Sequence, residues 1–189
     1  MKIGFDLDDT IADHTFNIVK LAKEYGISTS SLTLPKKFSI PKILSKEQYH
    51  GFKERLYGEV SLTAIPMEDS QDVMRDLHKD GMEVFIISRR LLSREYALQW
   101  LAKHFPLLRE ECVHFVNKDI EKGPICAELG IKIFLDNKPE VLEHIPKTTI
   151  PILFDRFDAY KEFPWKRVSS WREFHELCKT QREEQHINS

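Results

Sequence analysis

The sequence is poor in cysteine and has no excess of charge of either sign. Its three cysteines, Cys112, Cys126 and Cys178, lie far apart and form no Cys-x-x-Cys pair. This spacing argues against a zinc site or a disulfide framework and favours a reducing compartment, with the cytoplasm as the expected location. Lysine and arginine number 28 against 30 aspartates and glutamates, a net charge of -2. The charge therefore gives no basis for binding a nucleic-acid polymer or an anionic membrane.

Long apolar runs and glycine-rich nucleotide motifs are missing as well. No apolar run approaches the roughly 18 residues needed to span a bilayer, and the start of the chain has no feature of a signal peptide. Neither Gly-x-Gly-x-x-Gly nor a phosphate loop occurs, which argues against a dinucleotide or P-loop enzyme. The composition, 41% apolar and 31% charged over 189 residues, is that of a globular protein with one domain, or one domain and a modest insertion.

The most informative stretch lies at the start of the chain, where an apolar run ends in a carboxylate cluster. Residues 2–5 predict a strand buried on both faces of a parallel sheet, and Asp6, Asp8 and Asp9 follow it directly. Close like charges raise one another's pKa, and burying them without a partner is costly. A divalent cation is the simplest partner, and oxygen ligands at the carboxyl end of a parallel strand suit magnesium together with a substrate phosphate.

The rest of the chain alternates apolar runs typical of strands with amphipathic stretches typical of helices. Four further strands are predicted, at residues 82–88, 113–116, 131–135 and 149–154. This alternation predicts an α/β protein with a doubly wound parallel sheet and functional groups at the carboxyl ends of its strands.

Between the first and second predicted strands, residues 14–66 predict a small insertion that is mainly helical and contains no strand. One helix is expected over residues 15–25, closed by Gly26. Another begins at the N-cap Ser45 and runs to about Tyr57. At the other end of the chain, the last helix is expected over 170–181, and the polar residues 183–189 are expected to form a disordered tail.

Three further polar groups follow predicted elements where a bound phosphate would need them. Ser88 ends the second strand and is followed by two arginines; the hydroxyl and the guanidinium groups can donate to phosphate oxygens. Lys122 opens the helix before the fourth strand and could neutralise a phosphate and a nucleophile, with Lys118 as the alternative. Asp136 and Asn137 come directly after the apolar fourth strand, a position that is costly without a ligand or a cap.

Taken in order, these groups resemble the four motifs of the haloacid dehalogenase (HAD) superfamily of phosphohydrolases: Asp-x-Asp-x-Thr at residues 6–10, then Ser88, Lys122 and the pair Asp136-Asn137. The resemblance covers residues 1–154. It implies a HAD Rossmann-like core domain formed by residues 1–13 and 67–182. It also implies that residues 14–66 are a type C1 cap, which closes over the site and selects the substrate.

The same resemblance implies a role in phosphate ester hydrolysis for individual residues. Asp6 is expected as the nucleophile that forms an aspartyl-phosphate, and Asp8 as the general acid and base. Ser88 and Lys122 are also expected to act in catalysis, and Thr10, Arg89 and Phe16 to bind the substrate. Mg²⁺ is expected to be bound by Asp6, by the backbone carbonyl of Asp8, and by Asp136 or Asn137.

The last motif departs from the pattern of many relatives, which carry two acidic residues where this chain has Asp136-Asn137. Small CTD phosphatases of the superfamily also use an Asp-Asn pair, and an asparagine oxygen can ligate magnesium, so activity remains the expectation. The departure keeps a non-catalytic binding protein on the same scaffold as an alternative function.

Within the superfamily, two short segments resemble the 5'(3')-deoxyribonucleotidase-like group: Leu-Asp-Asn-Lys-Pro at 135–139 and Arg-Val-Ser-Ser-Trp at 167–171. They imply a nucleoside monophosphate as the substrate, which would need an aromatic surface for its base. Phe16 is favoured because it lies just past the catalytic turn; the other aromatic residues of the insertion are Phe38, Tyr49, Phe52 and Tyr57. The nearby His14 is expected to be solvated.

Another small phosphorylated metabolite, such as a sugar phosphate, is the alternative substrate. The sequence does not define the oligomeric state, and a homodimer is compatible with it.

Overall fold

The computed structural model describes residues 1–28, 30, 32, 40–90 and 93–187, with side chains as far as residue 184. The expectations for Phe38 and for residues 188–189 lie outside this range. The described strands are β1 (Lys2–Phe5), β2 (Ala12–Asp13), β3 (Ile65–Pro66), β4 (Glu83–Arg89), β5 (Val113–Val116), β6 (Ile133–Asp136), β7 (Ile150–Phe154) and β8 (Lys166–Val168). The described α-helices are α1 (Thr15–Glu24), α2 (Ile40–Ile43), α3 (Lys46–Tyr57), α4 (Ser70–Lys79), α5 (Arg94–His104), α6 (Lys122–Leu129), α7 (Pro139–Leu142) and α8 (Trp171–Ile187).

Six strands form one sheet in the order β5-β4-β1-β6-β7-β8, and every neighbouring pair is parallel. The predicted α/β class with a doubly wound parallel sheet is therefore confirmed. β1 lies at the centre, where Phe5 is in register with Ile86 of β4 and Leu135 of β6. This register places the carboxyl ends of β1, β4 and β6 side by side, at the point where the strand order reverses.

Strand β8 was not predicted from the sequence. It has three residues, and only Val168 among them is apolar, so its pattern is too short to show a period of two. Its position is set by parallel pairing with β7, in which Phe154 is in register with Val168.

The sheet is buried between two hydrophobic clusters, one on each face. Trp171 and Phe174 of α8 pack against Phe5, with ring centroids 5.0 and 5.4 Å away. The indole Nε1 of Trp171 donates to the carbonyl of Thr10 at 3.0 Å. Helix α8 therefore closes one face of the sheet and also fixes the loop that follows β1.

The helices between β2 and β3 have a hydrophobic cluster of their own, formed by buried side chains of α1, α2, α3 and Ile27. The predicted helix start at Ser45 is confirmed: its hydroxyl accepts from the backbone N–H of Gln48 at 3.2 Å, and the Gln48 amide oxygen accepts from the N–H of Ser45 at 3.0 Å. Helix α1 ends as expected at Gly26, which adopts a left-handed φ of 72°.

Two expectations about the chain's irregular parts were wrong. The insertion was expected to lack a strand, but Ile65–Pro66 pairs antiparallel with Ala12–Asp13, where the chain leaves and re-enters the core. Residues 183–187 were expected to be disordered, but α8 continues to Ile187. Side-chain pairs along the exposed face, including Gln181 with Glu184 at 2.6 Å, support this helix beyond its last contact with the core.

Candidate active site

The loop after β1 holds the acidic cluster in a tight turn at the carboxyl edge of the sheet. The N–H groups of Ile11 and Ala12 both donate to the carbonyl of Leu7 at 2.9 Å. Asp9 adopts a left-handed φ of 61°, a conformation that aspartate tolerates better than most residues. Together with the bond from Trp171 to Thr10, these contacts fix the loop backbone, so the carboxylates of Asp6 and Asp8 start from defined positions.

Lys122 lies between two carboxylates at the centre of the site. Its Nζ is 2.8 Å from Oδ1 of Asp6 and 2.7 Å from Oδ2 of Asp136, and its side chain is completely buried. Burial opposes the lysine charge, but the two carboxylates outweigh it and raise the pKa of Lys122. The alternative, Lys118, is exposed. The geometry therefore places Lys122, and not Lys118, beside the predicted nucleophile.

A glycine brings Lys122 this close to the sheet. Lys122 is the first residue of α6, and a Cβ atom on Gly123 would lie 2.1 Å from the carbonyl oxygen of His144. Only a residue without a side chain fits there, because the backbone of α6 passes directly against the segment after α7.

Three buried polar atoms of the site have no hydrogen-bond partner in the described part of the chain: Thr10 Oγ1, Ser88 Oγ and Asn137 Oδ1. Thr10 follows β1, Ser88 lies near the carboxyl end of β4, and Asn137 follows β6; the ends of these three strands lie side by side. Buried polar groups are almost always satisfied in folded proteins. Two hydroxyls can donate to a phosphate, and an amide oxygen can only accept or bind a cation. The three atoms thus fit an oxyanion and a cation bound together.

Asp136 and Asn137 differ in how far their oxygens are already engaged. Oδ2 of Asp136 accepts from Lys122, and its Oδ1 accepts from the backbone N–H of Lys138 at 2.9 Å. Burial and the neighbouring Asp6 raise the pKa of Asp136, against the effect of Lys122. Asn137 Oδ1 is the unpaired oxygen, so Asn137 has the freer metal-binding oxygen of the two.

Across the described residues, no group of three or more His, Cys, Asp or Glu side chains is close enough to hold a metal ion. A cation at this site would therefore need mixed oxygen donors, such as a carboxylate, a backbone carbonyl and an amide. Mg²⁺ accepts such a set and usually keeps several waters. The donor chemistry of Asp6, the Asp8 carbonyl and Asn137 fits this requirement.

Asp8 is held by two side chains for which the sequence analysis predicted no contact with Asp8. Nε and Nη2 of Arg90 donate to its Oδ2 and Oδ1 at 3.1 and 2.7 Å, and Nε2 of His14 lies 2.8 Å from Oδ1. Burial opposes ionisation of Asp8, but Arg90 and His14 outweigh it and hold the pKa of Asp8 well below its usual range. His14 is 0% exposed, so the expectation that it is solvated was wrong.

The sequence contained a signal that Arg90, and not Arg89, lies on the same face as Ser88. Side chains alternate along a strand, so residues 88 and 90 point to one face and Arg89 to the other. Ser88 and Arg90 are buried. Arg89, the arginine that the sequence nominated for substrate binding, is 42% exposed and pairs with Asp119 at 3.0 Å. Its role therefore remains a prediction. For His14 the sequence contains no such signal.

Phe16, the other predicted substrate contact, is 69% exposed on α1. Phe52, by contrast, is buried in the hydrophobic cluster of the insertion. Tyr49 and Tyr57 are partly buried and pack against the same cluster. An exposed aromatic residue shortly after the loop that follows β1 is available to a ligand, whereas a buried one is not.

Known proteins share this fold. A haloacid dehalogenase-like protein of unknown function from Agrobacterium tumefaciens has a similar structure, with a TM-score of 0.64 at 12% identity over 95% of this chain and 98% of that one. A haloacid dehalogenase-like family hydrolase from Xanthomonas campestris gives 0.56 at 14% identity, covering 95% of both chains. The chain thus shares the fold of haloacid dehalogenase-like proteins.

The family can be stated more closely. Proteins named "Putative nucleotidase" from Bacillus cereus and Oceanobacillus iheyensis are both 26% identical to this chain, over 95% and 92% of it and 98% and 97% of their own lengths. The model of the family described as "5' nucleotidase, deoxy (Pyrimidine), cytosolic type C protein" matches residues 1–183, and the chain belongs to this family. It is a phosphoric monoester hydrolase. None of its described helices is long and apolar enough to cross a membrane.

Proposed function

We propose that the protein is a magnesium-dependent phosphomonoesterase that acts through an aspartyl-phosphate and hydrolyses nucleoside monophosphates. The observation that carries this proposal is the buried contact of Lys122 with Asp6 and Asp136, at the same edge of the sheet as buried hydroxyl and amide groups that lack a partner in the described chain. A lysine in this position would neutralise charge on the nucleophile and on the transferring phosphoryl group.

The reaction would proceed in two steps. A carboxylate oxygen of Asp6 attacks phosphorus, and the bond from phosphorus to the ester oxygen breaks. The departing oxygen takes a proton from Asp8, which Arg90 and His14 favour in its ionised form and which must therefore take up a proton from water before this step. Asp8 then accepts a proton from a water molecule, which attacks phosphorus and releases inorganic phosphate and free Asp6. Thr10 and Ser88 would donate to the phosphoryl oxygens through the hydroxyls that lack a partner in the described chain.

Magnesium would be held by Asp6, by the backbone carbonyl of Asp8 and by Asn137, while Asp136 would orient Lys122. The ion would supply positive charge against the repulsion between an anionic nucleophile and an anionic phosphate. In this assignment, the asparagine of the last motif serves as a ligand and does not indicate a loss of activity.

Residues 14–66 would act as the cap, and 1–13 with 67–182 as the core domain. The separate hydrophobic cluster of the insertion supports this division. The family description supports a nucleotide substrate, and the exposed ring of Phe16 could pack on its base. The unpaired, buried Cys112, Cys126 and Cys178 support a reducing compartment such as the cytoplasm.

The test is a panel of nucleoside monophosphates and sugar phosphates assayed by phosphate release, with and without Mg²⁺. Asp6→Asn removes the nucleophile and should lower turnover at least about 10³-fold, whereas the matched change Asp76→Asn on the exposed face of α4 should leave it within about twofold. Turnover by Asp6→Asn at the wild-type rate would contradict the mechanism. A preference for sugar phosphates would contradict the nucleotide substrate alone.

A further inference from the structure

Arg90 is buried at the boundary between the core and the proposed cap. It follows β4 directly and is 3% exposed. Nε and Nη2 of its guanidinium donate to the two oxygens of Asp8 in the core, and Nη1 donates to the backbone carbonyl of Tyr57, the last residue of α3. Each of the three nitrogens therefore has an acceptor, two of them in the core and one in the cap.

This arrangement does not suit a direct contact with substrate. An arginine that receives a phosphate must offer its fork to the ligand, but the fork of Arg90 is already occupied by a carboxylate. Its side chain also stacks over the ring of Tyr57, with its Cζ 5.2 Å from the ring centroid. Arg90 can thus affect the reaction only through the group that it holds, which is Asp8.

The cap contributes a second contact to the same carboxylate. His14, the first residue of the proposed cap, lies 2.8 Å from Oδ1 of Asp8, and its ring meets that of Tyr57 edge-on at 5.6 Å. Two core residues and two cap residues therefore form one cluster around the Asp8 carboxylate. Because a bidentate guanidinium fixes the plane of a carboxylate, a displacement of α3 would be transmitted through Arg90 to Asp8.

We propose that Arg90 is a positioning residue that ties the orientation of the Asp8 carboxylate to the seating of the cap. The inference rests on the proposed function, in which Asp8 gives a proton to the leaving oxygen. When the cap is seated, the fork of Arg90 joins Asp8 to Tyr57, and the proton donor is held in one orientation. When α3 moves, the carbonyl of Tyr57 leaves Nη1 of Arg90 and that orientation is lost.

The test compares two esters of similar size whose leaving groups differ in their need for a proton. p-Nitrophenolate leaves without protonation, whereas the alkoxide of benzyl phosphate requires a general acid. Arg90→Met should lower kcat/KM for benzyl phosphate about 100-fold, the usual contribution of general acid catalysis, and for p-nitrophenyl phosphate less than about 10-fold. A merely structural defect would lower both values by the same factor, and that result would overturn the proposal.

Two further arginine variants sharpen the test. Arg90→Lys keeps the charge but loses the planar fork. It should therefore also lower kcat/KM more for benzyl phosphate than for p-nitrophenyl phosphate, but by smaller factors than Arg90→Met. Wild-type values of kcat/KM in this variant would overturn the proposal. Arg55→Met removes an arginine that pairs with Glu24 on the cap surface at 2.6 Å, and it should keep the wild-type ratio between the esters.

The cap side of the link can be tested without changing Arg90. A Cβ atom on Gly58 would lie 2.7 Å from the carbonyl oxygen of Glu54, so Gly58→Ala must shift the end of α3 and the Tyr57 carbonyl with it. A loss selective for benzyl phosphate is expected. Gly51→Ala in the same helix, where the nearest atom is the Tyr25 hydroxyl oxygen at 3.4 Å, is the control. An unchanged ester ratio in Gly58→Ala would contradict the link to the cap.

The outcomes separate this inference from the proposed function. A wild-type protein that hydrolyses neither these esters nor any nucleoside monophosphate or sugar phosphate of the panel with Mg²⁺ would contradict the proposed function and the role of Arg90 with it. An active wild-type protein whose Arg90→Met variant loses both activities equally would contradict the role of Arg90 alone.

Discussion

Lys122 and its two carboxylate partners show how the site tolerates buried charge. Removing one partner from a buried ion pair leaves an uncompensated charge, which usually costs several kcal/mol. Here one cation faces Asp6 and Asp136, so the group carries an excess negative charge even with the lysine in place. That excess is the electrostatic reason to expect a second cation beside Asp6, and it supports the proposed magnesium site.

A second charged contact, between Asp13 and Arg156, makes stability depend on pH. Nη1 of Arg156 donates to the Asp13 carboxylate at 2.6 Å, and the backbone N–H of Thr15 donates to it at 2.8 Å. Burial raises the pKa of Asp13, but these two donors outweigh it and lower the value below 3.8. A carboxylate with a lowered folded pKa stabilises the protein above its unfolded pKa, and this contribution is lost as the pH falls through the folded value.

Asp13→Asn should therefore reduce the free energy of unfolding by about 1 kcal/mol near neutral pH, with the difference disappearing as the pH falls through the lowered pKa of folded Asp13. Urea denaturation from pH 2 to 7 measures it. In an Arg156→Met background the substitution should have a smaller pH-dependent effect. An equal effect in that background would mean that Arg156 does not lower the Asp13 pKa.

At the scale of single elements, α6 is defined by how closely it approaches its neighbour. The helix brings Lys122 to the sheet because Gly123 has no side chain to meet the carbonyl of His144. Glycine is an unfavourable residue in the first turn of this helix, because it costs about 1 kcal/mol of helix stability relative to alanine. The glycine is thus required for close packing against the segment after α7.

Gly123→Ala should lower the free energy of unfolding by about 2 kcal/mol or more, because the new methyl group must displace backbone atoms. Gly51→Ala, in the interior of α3, meets only a side-chain hydroxyl at ordinary contact distance and should raise stability by about 0.5–1 kcal/mol. Chemical denaturation of both variants gives the comparison. If both changed stability in the same direction, the close approach of α6 would not be the cause.

At the scale of the whole molecule, the hydrophobic residues fall into separate clusters for the sheet and for the helical insertion. Phe52 and Leu56 of α3 pack with Ile18 and Leu21 of α1, whereas the sheet has its own clusters on its two faces. Such an arrangement allows one part to open locally while the other stays folded.

Phe52→Ala removes a buried ring from the cluster of the insertion, at a cost of about 3–5 kcal/mol. Amide hydrogen exchange should become faster in α1 and α3, while β1, β4 and β6 keep their wild-type protection. Phe174→Ala, which opens the cluster on the sheet, is the matched control and should weaken protection in the strands. Equally faster exchange in strands and insertion after Phe52→Ala would show a single cooperative unit.

The order of the five predicted strands and of the main helices, and the chemistry of the strand ends, were determined by the sequence itself. Apolar runs, helix caps such as Ser45 and helix-ending glycines such as Gly26 depend on neighbours a few residues away, so their patterns are visible along the chain. The order of the acidic, serine and lysine positions likewise required no structure, because each of them directly follows or opens an element of that pattern.

Only the tertiary structure decided which of these groups meet. Lys122 reaches Asp6 across 116 positions of sequence, and Arg90 reaches Asp8 across 82. From the sequence alone, Lys118 remained an alternative to Lys122, Arg89 was the arginine predicted to bind substrate, and Asp136 and Asn137 could not be told apart as metal ligands. The choice was made by side-chain alternation at the end of β4 and by the close packing of α6, because contacts between distant segments depend on how the elements pack and not on local preference.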